Sequence, residues 1–498
     1  MPGLPDMSAT IPELLRRDFL DGVVMIDGQA ITAGAEGQIE VFNPATLEKL
    51  GDVAALGSGD VERAIARARA VQPGWAALAA KERATRLMAF HDAMMSNRGD
   101  LAALLVAEQG KPMTEALGEI AYAASFLSWF AEEAKRAYGE IIPAGQNDKR
   151  ILVTKRPVGV TAAITPWNFP SAMITRKVAP ALAAGCAIIL KPSELTPFSA
   201  LALETLAREA GIPDGLFAVV TGHARTIGPI LTGHPDIAKF SFTGSTGVGK
   251  LLAADCAATM KRISMELGGN APLLIFDDAD IEAAIEGTLL SKFRNSGQTC
   301  VCANRILVQD GIHDRFAEAL AARAATLRVG NGLEGATDQG PLINRAARDK
   351  VASHVGDALA RGAMAVTGGS AHEAGEHFWT PTVLVGATPD MRVATEETFG
   401  PVAPLFRFHS EGEAIALANA SRSGLAAYAF SRDIDRFWRV SEALEVGMVG
   451  FNTGAISSEM APFGGVKESG YGREGSRHGL DEFLEMRMIC LGVAPASL

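Results

Sequence analysis

Apolar residues between Asp60 and Tyr138 recur at helical intervals, in a stretch rich in Ala, Glu, Arg and Leu. This spacing is typical of amphipathic helices. Breaks between helices are expected at Gln72-Pro73-Gly74 and at Gly110-Lys111-Pro112, because proline and glycine interrupt a helical pattern. We therefore predict a helical scaffold here, with no chemistry of its own.

A different pattern begins at Val158, where short apolar runs alternate with helical segments as far as Phe276. Such alternation predicts a parallel α/β sheet. The predicted strands are 159–164, 186–190, 216–220, 238–242 and 271–276, and the predicted helices are 171–184, 199–210, 224–232 and 247–258. Ligands bind such sheets beyond the carboxyl ends of the strands. Three polar motifs follow predicted strands there and indicate a nucleotide site: 166–170 (PWNFP), 191–194 (KPSE) and 242–249 (FTGSTGVG).

Two further regions flank this sheet. Residues 138–160 contain two apolar runs around a turn-like segment, which predicts a hairpin that leaves the main body. A second α/β region is expected from about 267 to 458, and the tail becomes strand-like at 484–491. The helices expected in the second region are 281–294, 314–327 and 345–361, with a strand at 305–309.

Composition narrows the functional class. The chain has 498 residues, 48% hydrophobic and 21% charged, as in a globular protein of two or more domains. Its net charge of −11 disfavours a nucleic-acid partner, since phosphate contacts need clustered Lys and Arg. The longest uncharged run, 157–175, contains three prolines, so no membrane span is expected. Asp6 and Glu13 argue against a transit peptide and five sparse cysteines fit a reducing compartment, which favours the cytoplasm.

Cys300 is the candidate nucleophile. It lies in the polar segment 295–302, between a predicted helix and a predicted strand, where a loop can present a thiol to a substrate. A free thiol has a pKa of about 8.5, which a local positive field lowers, so we expect a reactive thiolate. The alternative is a buried, inert thiol.

Two motifs of the predicted sheet suit a nucleotide. The segment 244–249 follows a strand and opens a helix, so its amides can hold a pyrophosphate; a plain glycine turn is the alternative, since the spacing is not GxGxxG. Lys191 and Glu194 can bond ribose hydroxyls, and a carboxylate at position 194 repels a 2′-phosphate, which favours NAD over NADP. A solvated charge pair is the alternative for these two residues.

Two polar residues suit acyl chemistry. Asn168 lies between prolines at the end of a strand, where a rigid turn holds one amide donor for an oxyanion. Glu266 ends a strand and precedes Gly268-Gly269, so its carboxylate can swing as a general base for water. An ordinary turn asparagine and an ordinary edge carboxylate are the alternatives.

The motifs, in this order, resemble those of the aldehyde dehydrogenase superfamily over nearly the whole chain: PWNFP, KPSE, FTGSTGVG, ELGGN (266–270), GQTC (297–300), EETFGPV (396–402) and PFGGVKESG (462–470). The resemblance implies an α/β fold with a Rossmann-type NAD(P)-binding domain (1–137 and 159–266) and an α/β catalytic domain (267–475). It also implies a β-hairpin oligomerisation arm (138–158 and 476–498) and a homodimer or homotetramer.

Carried over position by position, the resemblance implies Cys300 as nucleophile, Asn168 as oxyanion donor and Glu266 as the base for thioester hydrolysis. It implies NAD as cofactor, with NADP as the alternative, and no metal. A phosphorylating variant is less expected because Glu266 is present, and a non-catalytic nucleotide-binding protein is a more distant alternative. The cofactor contacts that it implies are Trp167, Lys191, Ser193, Glu194, Gly244, Ser245, Gly249, Glu397 and Phe399.

Substrate specificity is expected from Arg176, Arg294 and Ser457, at positions where many family members place aromatics, together with Phe169. Two guanidiniums can form a fork for a carboxylate. This pattern, with the continuation CVCANR after residue 299, resembles succinate-semialdehyde dehydrogenases, so we expect succinate semialdehyde as substrate. Glutarate semialdehyde is the close alternative, and structural salt bridges are the alternative role for the arginines. The resemblance also admits a regulatory disulfide between Cys300 and Cys302, with a structural Cys302 thiol as the alternative.

Overall fold

The structure, a computed structural model, describes residues 16–494. The transit-peptide argument from Asp6 and Glu13 and the outer ends of the predicted domain ranges therefore lie outside the described residues. The first part contains the strands β1 (Val24–Ile26), β2 (Gln29–Ile31), β3 (Gln38–Phe42), β4 (Lys49–Ala54), β5 (Glu140–Ile142) and β6 (Lys149–Pro157). Its helices are α1 (Ser58–Ala76), α2 (Ala80–Ser96), α3 (Arg98–Gln109) and α4 (Met113–Glu133), with short 3-10 helices at Arg17–Leu20 and Ala134–Arg136.

The predicted helical region is confirmed, but one predicted break is wrong. Helix α1 continues through Pro73 to Ala76. The turn after the proline is held by tertiary packing, because Trp75 is buried and its Nε1 donates to the carbonyl of Leu182 at 2.9 Å. The predicted break at Gly110 is confirmed, since this residue ends α3 with a left-handed φ of 92°.

The middle of the chain forms a six-stranded sheet in the order β21-β11-β10-β7-β8-β9. All neighbouring pairs are parallel except the short edge strand β21 against β11. The predicted strands and helices between 159 and 258 are confirmed to within a few residues. The strands are β7 (Val160–Ile164), β8 (Ala187–Lys191), β9 (Phe217–Val219), β10 (Ile237–Thr243), β11 (Arg262–Glu266) and β21 (Gly470–Tyr471); the helices are α5 (Ala172–Ala184), α6 (Pro197–Glu209), α7 (Ala224–Gly233) and α8 (Thr246–Ala257).

The strand predicted at 271–276 belongs to a different sheet from the one expected. It is β12 (Ala271–Ile275), in the interior of a seven-stranded sheet of order β14-β15-β16-β13-β12-β18-β19. The remaining strands are β13 (Ala303–Gln309), β14 (Met364–Thr367), β15 (Thr382–Val385), β16 (Val402–Phe408), β17 (Ser423–Gly424), β18 (Ala426–Phe430), β19 (Met448–Phe451), β20 (Val466–Lys467) and β22 (Leu484–Gly492). The remaining helices are α9 (Ile281–Phe293), α10 (Asp310–Ala324), α11 (Arg345–Ala360), α12 (Arg392–Thr395), α13 (Glu411–Asn419), α14 (Ile434–Ala443) and α15 (Ser476–Asp481).

Each large sheet has its own core. One apolar cluster around the six-stranded sheet gathers buried residues up to Leu267 together with Leu480, Phe483 and Leu484, and two others cover the seven-stranded sheet. The predicted hairpin is present as β5 and β6, and β22 pairs with β6 along its whole length to make a third, three-stranded sheet. The fold is thus α/β, with a Rossmann-type parallel sheet, a second α/β sheet and a β-sheet arm.

The topology places the candidate residues at the same edge of the six-stranded sheet. Strands β7, β8, β10 and β11 run parallel and end at Ile164, Lys191, Thr243 and Glu266. The loops that follow them therefore emerge at the same edge of the sheet. The segment before β13 approaches this edge closely, because a Cβ on Gly269 would lie 2.3 Å from the carbonyl oxygen of Cys300.

Candidate active site

Cys300 follows a left-handed turn that three residues form. Asn295 and Ser296 both have a φ of 53°, and Gly297 has a φ of 73°. Glycine is required at the last position, because a Cβ there would lie 2.1 Å from the carbonyl oxygen of Gly400. The turn reverses the chain after α9 and directs the Cys300 segment towards the sheet edge.

A cavity of about 390 Å³ lies at this edge, and most of the residues predicted for catalysis and cofactor binding line it. Cys300, Glu266 and Asn168 are among them, as are Trp167, Gly244, Ser245, Glu397 and Phe399. Five other lining residues belong to the quoted motifs: Pro166, Thr243, Leu267, Gly268 and Thr398. The lining residues that the sequence analysis did not single out are Met173, Ala346, Ala347 and Lys350.

The Cys300 thiol has a pKa that differs from the expectation. Burial is the main cause of a rise in this pKa to about 12, to which the carboxyl groups of Glu397 and Glu266 also contribute, while Arg176 opposes the rise. The expectation of a lowered pKa is therefore wrong for the protein's own groups, because burial of the thiol outweighs the positive field of the one arginine. Cys300 is a neutral thiol at pH 7.

Glu266 is a buried carboxyl group with both oxygens free of hydrogen-bond partners among the described residues. Burial and the negative charge of Glu474 raise its pKa well above the ordinary value, while Lys177 and Arg176 oppose this rise. Glu474 is itself paired with Lys177. A buried carboxyl group whose pKa is raised in this way is a candidate for general acid–base chemistry.

Hydrogen bonds hold both the backbone and the side chain of Asn168. Its backbone carbonyl accepts hydrogen bonds from Lys111 Nζ and Asn295 Nδ2, both at 2.9 Å. Its side-chain Nδ2 donates to the carbonyl of Gln298 at 3.0 Å. An amide nitrogen carries two hydrogens, so one N–H remains for a group in the cavity.

The cofactor candidates on the cavity wall form two clusters. Gly244 and Ser245 lie at the start of α8, and Ser245 makes no side-chain cap, so the first amides of the helix are open to an anion. Trp167 and Phe399 meet edge to face, with ring centroids 5.6 Å apart. Glu397 Oε1 accepts from the amide of Gly269 at 3.2 Å, and burial raises the pKa of Glu397 to about 7.

The other cofactor candidates lie outside that lining. Lys191 is buried, with Nζ 3.1 Å from Glu194 Oε1, whereas the Glu194 side chain is 35% exposed, so the alternative of a solvated charge pair does not describe Lys191. Glu194 Oε1 also accepts from the amide of Ala224 at 2.7 Å. Ser193 Oγ accepts from the amide of Leu195 at 3.2 Å. Gly249 packs against Leu267, where a Cβ would lie 2.3 Å from Cδ2.

A second cavity of about 260 Å³ contains three of the predicted substrate residues, Phe169, Arg294 and Ser457. The Arg294 guanidinium lies 5.1 Å from the centroid of the Phe169 ring. Among the described residues it has neither a carboxylate within 4.0 Å nor a hydrogen-bond partner. The other lining residues are Glu115, Gly118, Glu119 and Tyr122.

Arg176 has partners of its own. It is buried, its NH2 donates to the Tyr122 hydroxyl at 2.7 Å, and its Nε lies 3.5 Å from Glu474 Oε2. It is absent from the lining of the Arg294 cavity, although its partner Tyr122 belongs to that lining. The structural role that was the alternative for both arginines thus describes Arg176 but not Arg294, and a fork of the two remains a prediction.

Cys302 is a buried thiol whose Sγ donates to the carbonyl of Lys292 at 3.6 Å, and burial raises its pKa. All five cysteines are free thiols. The regulatory disulfide therefore stays a prediction.

Helix α4, which was interpreted as part of a scaffold without chemistry, contributes to the wall of the Arg294 cavity. Glu115, Glu119 and Tyr122 line the Arg294 cavity, and Glu115 Oε2 accepts from the amide of Asn295 at 2.8 Å. Their spacing of four and three residues places them on one helix face, a signal that was present in the sequence. Two acids and a tyrosine on the apolar side of a helix could have marked a wall of the site.

Two classes of site are not found between residues 16 and 494. No group of three or more His, Cys, Asp and Glu side chains there is arranged to hold a metal ion. No helix in that range is both long and apolar enough to cross a membrane.

Comparison with known proteins bears on the chemistry of the two cavities. The chain is 58% identical over 480 residues to 3-sulfolactaldehyde dehydrogenase from Pseudomonas putida, covering 96% of this chain and 99% of that protein. It is 56% identical to glutarate-semialdehyde dehydrogenase from Pseudomonas aeruginosa, covering 94% and 97%. It is 55% identical to the NADP(+) succinate-semialdehyde dehydrogenase GabD of Escherichia coli, again covering 94% and 97%.

The fold is shared as well. The crystal structure of succinate-semialdehyde dehydrogenase from Burkholderia pseudomallei superposes with a TM-score of 0.95 at 55% identity, covering 97% of this chain and all of that one. Residues 31–489 match the sequence profile of the aldehyde dehydrogenase family. With a cysteine, a glutamate and an asparagine around one cavity at the edge of such a fold, the chain belongs to the aldehyde dehydrogenase family.

Proposed function

We propose that the protein oxidises succinate semialdehyde to succinate with NAD(P). The observation that carries this proposal is the Arg294 guanidinium, which has no carboxylate within 4.0 Å between residues 16 and 494 and shares a cavity with Ser457. A half-buried cation without a partner is costly unless an anion arrives to pair with it. Phe169 lines this cavity and the adjacent Asn168 lines the cavity of Cys300, so an anion at Arg294 places the rest of a short substrate towards the thiol.

The chemistry is assigned to three residues. The Cys300 sulfur adds to the aldehyde carbon, and the Asn168 amide with the Cys300 backbone N–H stabilises the oxyanion. The thiol is neutral, so its proton must leave as the bond forms, and Glu266 on the same cavity wall accepts it. After oxidation to the thioester, Glu266 releases the thiol proton to solvent and becomes a carboxylate again. It then takes a proton from water, the hydroxide attacks the acyl carbon, and the Cys300 thiolate leaves and regains a proton from Glu266.

The residues at the sheet edge fit a nicotinamide dinucleotide, which supplies the hydride acceptor when bound. The open amides at the start of α8 suit its pyrophosphate, and the Trp167 and Phe399 rings suit a planar group near Cys300. Glu194 carries a carboxylate that disfavours a 2′-phosphate, which supports NAD. The E. coli relative is an NADP(+) enzyme, so NADP is retained as the alternative.

Two other substrates have support from relatives. Glutarate semialdehyde is one methylene longer, and a methylene changes selectivity by only about 10- to 200-fold. The 58% identical relative acts on 3-sulfolactaldehyde, whose sulfonate is also an anion that a guanidinium binds. All three substrates require the same cation, so Arg294 supports the class, and the choice of succinate semialdehyde rests on the motif resemblance.

The test is a kinetic panel of these three aldehydes and an uncharged aldehyde of equal length, each with NAD and with NADP. Arg294→Ala should lower kcat/KM for the anionic substrates by about 10- to 100-fold, the worth of a charge-assisted hydrogen bond, and leave the uncharged aldehyde unchanged. Arg328→Ala is the control, because that arginine is exposed and paired with Asp338 at 2.9 Å. A preference for anionic substrates that survives in Arg294→Ala would refute the proposal.

We further propose that the protein works in the cytoplasm as a homodimer or homotetramer. The sparse free cysteines suit a reducing compartment. The three-stranded arm supports an assembly through its exposed apolar residues.

A further inference from the structure

Lys111 and Glu119 form a buried ion pair beside the candidate site. Their side chains are 0% and 1% exposed, and Lys111 Nζ lies 2.5 Å from Glu119 Oε2. Lys111 precedes α4 and Glu119 lies within it. The desolvation of a buried pair offsets most of its Coulomb attraction, so stability alone is a weak reason for one to be present.

The pair holds the segment 168–172 from both ends. Lys111 Nζ donates to the carbonyl of Asn168 at 2.9 Å and lies 3.9 Å from the centroid of the Phe169 ring. Glu119 Oε1 accepts from the amides of Ser171 at 2.9 Å and Ala172 at 3.2 Å, at the start of α5. The segment is therefore anchored to α4 by three hydrogen bonds to charged groups, the stronger kind of hydrogen bond.

Together with Asn295 Nδ2, which also donates to the Asn168 carbonyl at 2.9 Å, this anchoring fixes the backbone that carries the Asn168 amide. The carbonyl that Lys111 holds and the side chain that faces the cavity belong to the same residue. A shift of the carbonyl therefore rotates the side chain away from Gln298, whose carbonyl accepts from Nδ2 at 3.0 Å. The remaining N–H, which the proposed function assigns to the oxyanion, moves with it.

We propose that Lys111 and Glu119 are positioning residues for the oxyanion donor Asn168, an inference that rests on the proposed function of the site. A misplacement of 1 Å can lower a rate by about 10²-fold. Loss of Lys111 should therefore lower kcat by about 10- to 100-fold. The KM for NAD should change little, because Lys111 contacts none of the residues proposed to bind the cofactor.

The test is a double-mutant cycle of Lys111→Met and Asn168→Ala, with the rate of NADH formation measured at saturating aldehyde and cofactor. If Lys111 acts through Asn168, its replacement should lower kcat in the wild-type background and have almost no further effect in Asn168→Ala. Equal losses in both backgrounds would overturn the proposal. Glu119→Gln repeats the cycle with a milder change, because it retains an oxygen for the amides of Ser171 and Ala172 while it removes the ion pair.

Lys239→Met is the matched control. Lys239 is also a buried lysine with a carboxylate partner, Glu482 at 3.2 Å, and it is absent from the lining of both cavities. This variant should melt at a lower temperature with an unchanged kcat; a kcat loss equal to that of Lys111→Met would show that any buried lysine matters and would count against positioning. If the wild-type protein oxidises no aldehyde, the proposed function fails. If it oxidises one and the losses are additive, only the positioning role fails.

Discussion

At the scale of single residues, the protonation state of Cys300 is the property that most constrains the chemistry. Burial raises the pKa of this thiol to about 12, so the neutral form dominates at pH 7 and the thiolate fraction grows tenfold with each pH unit. Alkylation of Cys300 by iodoacetamide, followed by mass spectrometry, should therefore accelerate continuously from pH 6 to pH 9. The exposed Cys490 should react faster throughout and serves as the internal reference. A plateau for Cys300 near pH 7 would contradict this prediction.

The two arginines show what sequence reasoning could not resolve at this scale. Arg176 and Arg294 have the same side chain and both flank the candidate loops, so both were assigned to substrate. Their difference depends on Glu474, which lies 3.5 Å from Arg176 in space but almost three hundred positions later in the chain. A pattern within one segment carries no information about such a partner. That Cys300, Glu266 and Asn168 would lie near one another was, by contrast, predictable, because each belongs to a local motif next to the end of an element.

At the scale of elements, the left-handed turn at 295–297 is the feature with the sharpest steric requirement. Gly297→Ala should destabilise the protein by about 1–3 kcal/mol for the left-handed conformation alone, and by more through the contact with the Gly400 carbonyl. It should also lower kcat, because the turn leads directly to Cys300. Gly356→Ala is the control, since this exposed glycine in α11 has open space around it and the change should stabilise the helix by about 0.5–1 kcal/mol. Urea denaturation of both variants checks the signs, and equal stabilities would contradict the steric argument.

Elements were predictable where local patterns determine them and not where packing does. The alternation between Val160 and Thr243 was correctly interpreted, since each buried strand is followed by a helix of adequate length. The strand β12 is just as apolar, and because strands buried on both faces carry no periodicity, its sheet could not be assigned from its residues. The continuation of α1 past Pro73 depends on the bond from Trp75 to Leu182, a contact between distant segments. The place of α4 in the cavity wall was missed although Glu115 and Glu119 share one helix face. Their partners, the amides of Asn295, Ser171 and Ala172, lie in distant segments of the chain.

At the scale of the whole molecule, the candidate active site combines residues from the two large sheets. Glu266 ends β11 in the six-stranded sheet, whereas Cys300 precedes β13 in the seven-stranded sheet. The link between the sheets contains Gly268 and Gly269, and a side chain at Gly269 would collide with the carbonyl of Cys300. The proposed base and the proposed nucleophile are thus brought together by a close backbone approach that only glycine permits.

The three-stranded arm exposes a sheet edge that would have no pairing strand in an isolated chain. Strand β22 is nine residues long, forms one edge of the three-stranded sheet, and carries Met486 and Met488 on one face at 75% and 65% exposure. A long, apolar edge strand is rarely left uncovered in a folded protein. We therefore expect a second copy to cover it, and the double variant Met486→Glu with Met488→Glu should reduce the assembly mass in light scattering after size-exclusion chromatography. Met260→Glu is the control, because Met260 is 89% exposed and lies outside the arm, so it should leave the mass unchanged. A wild-type protein that elutes as a monomer, or a double variant with the wild-type mass, would show that the arm does not hold the copies together.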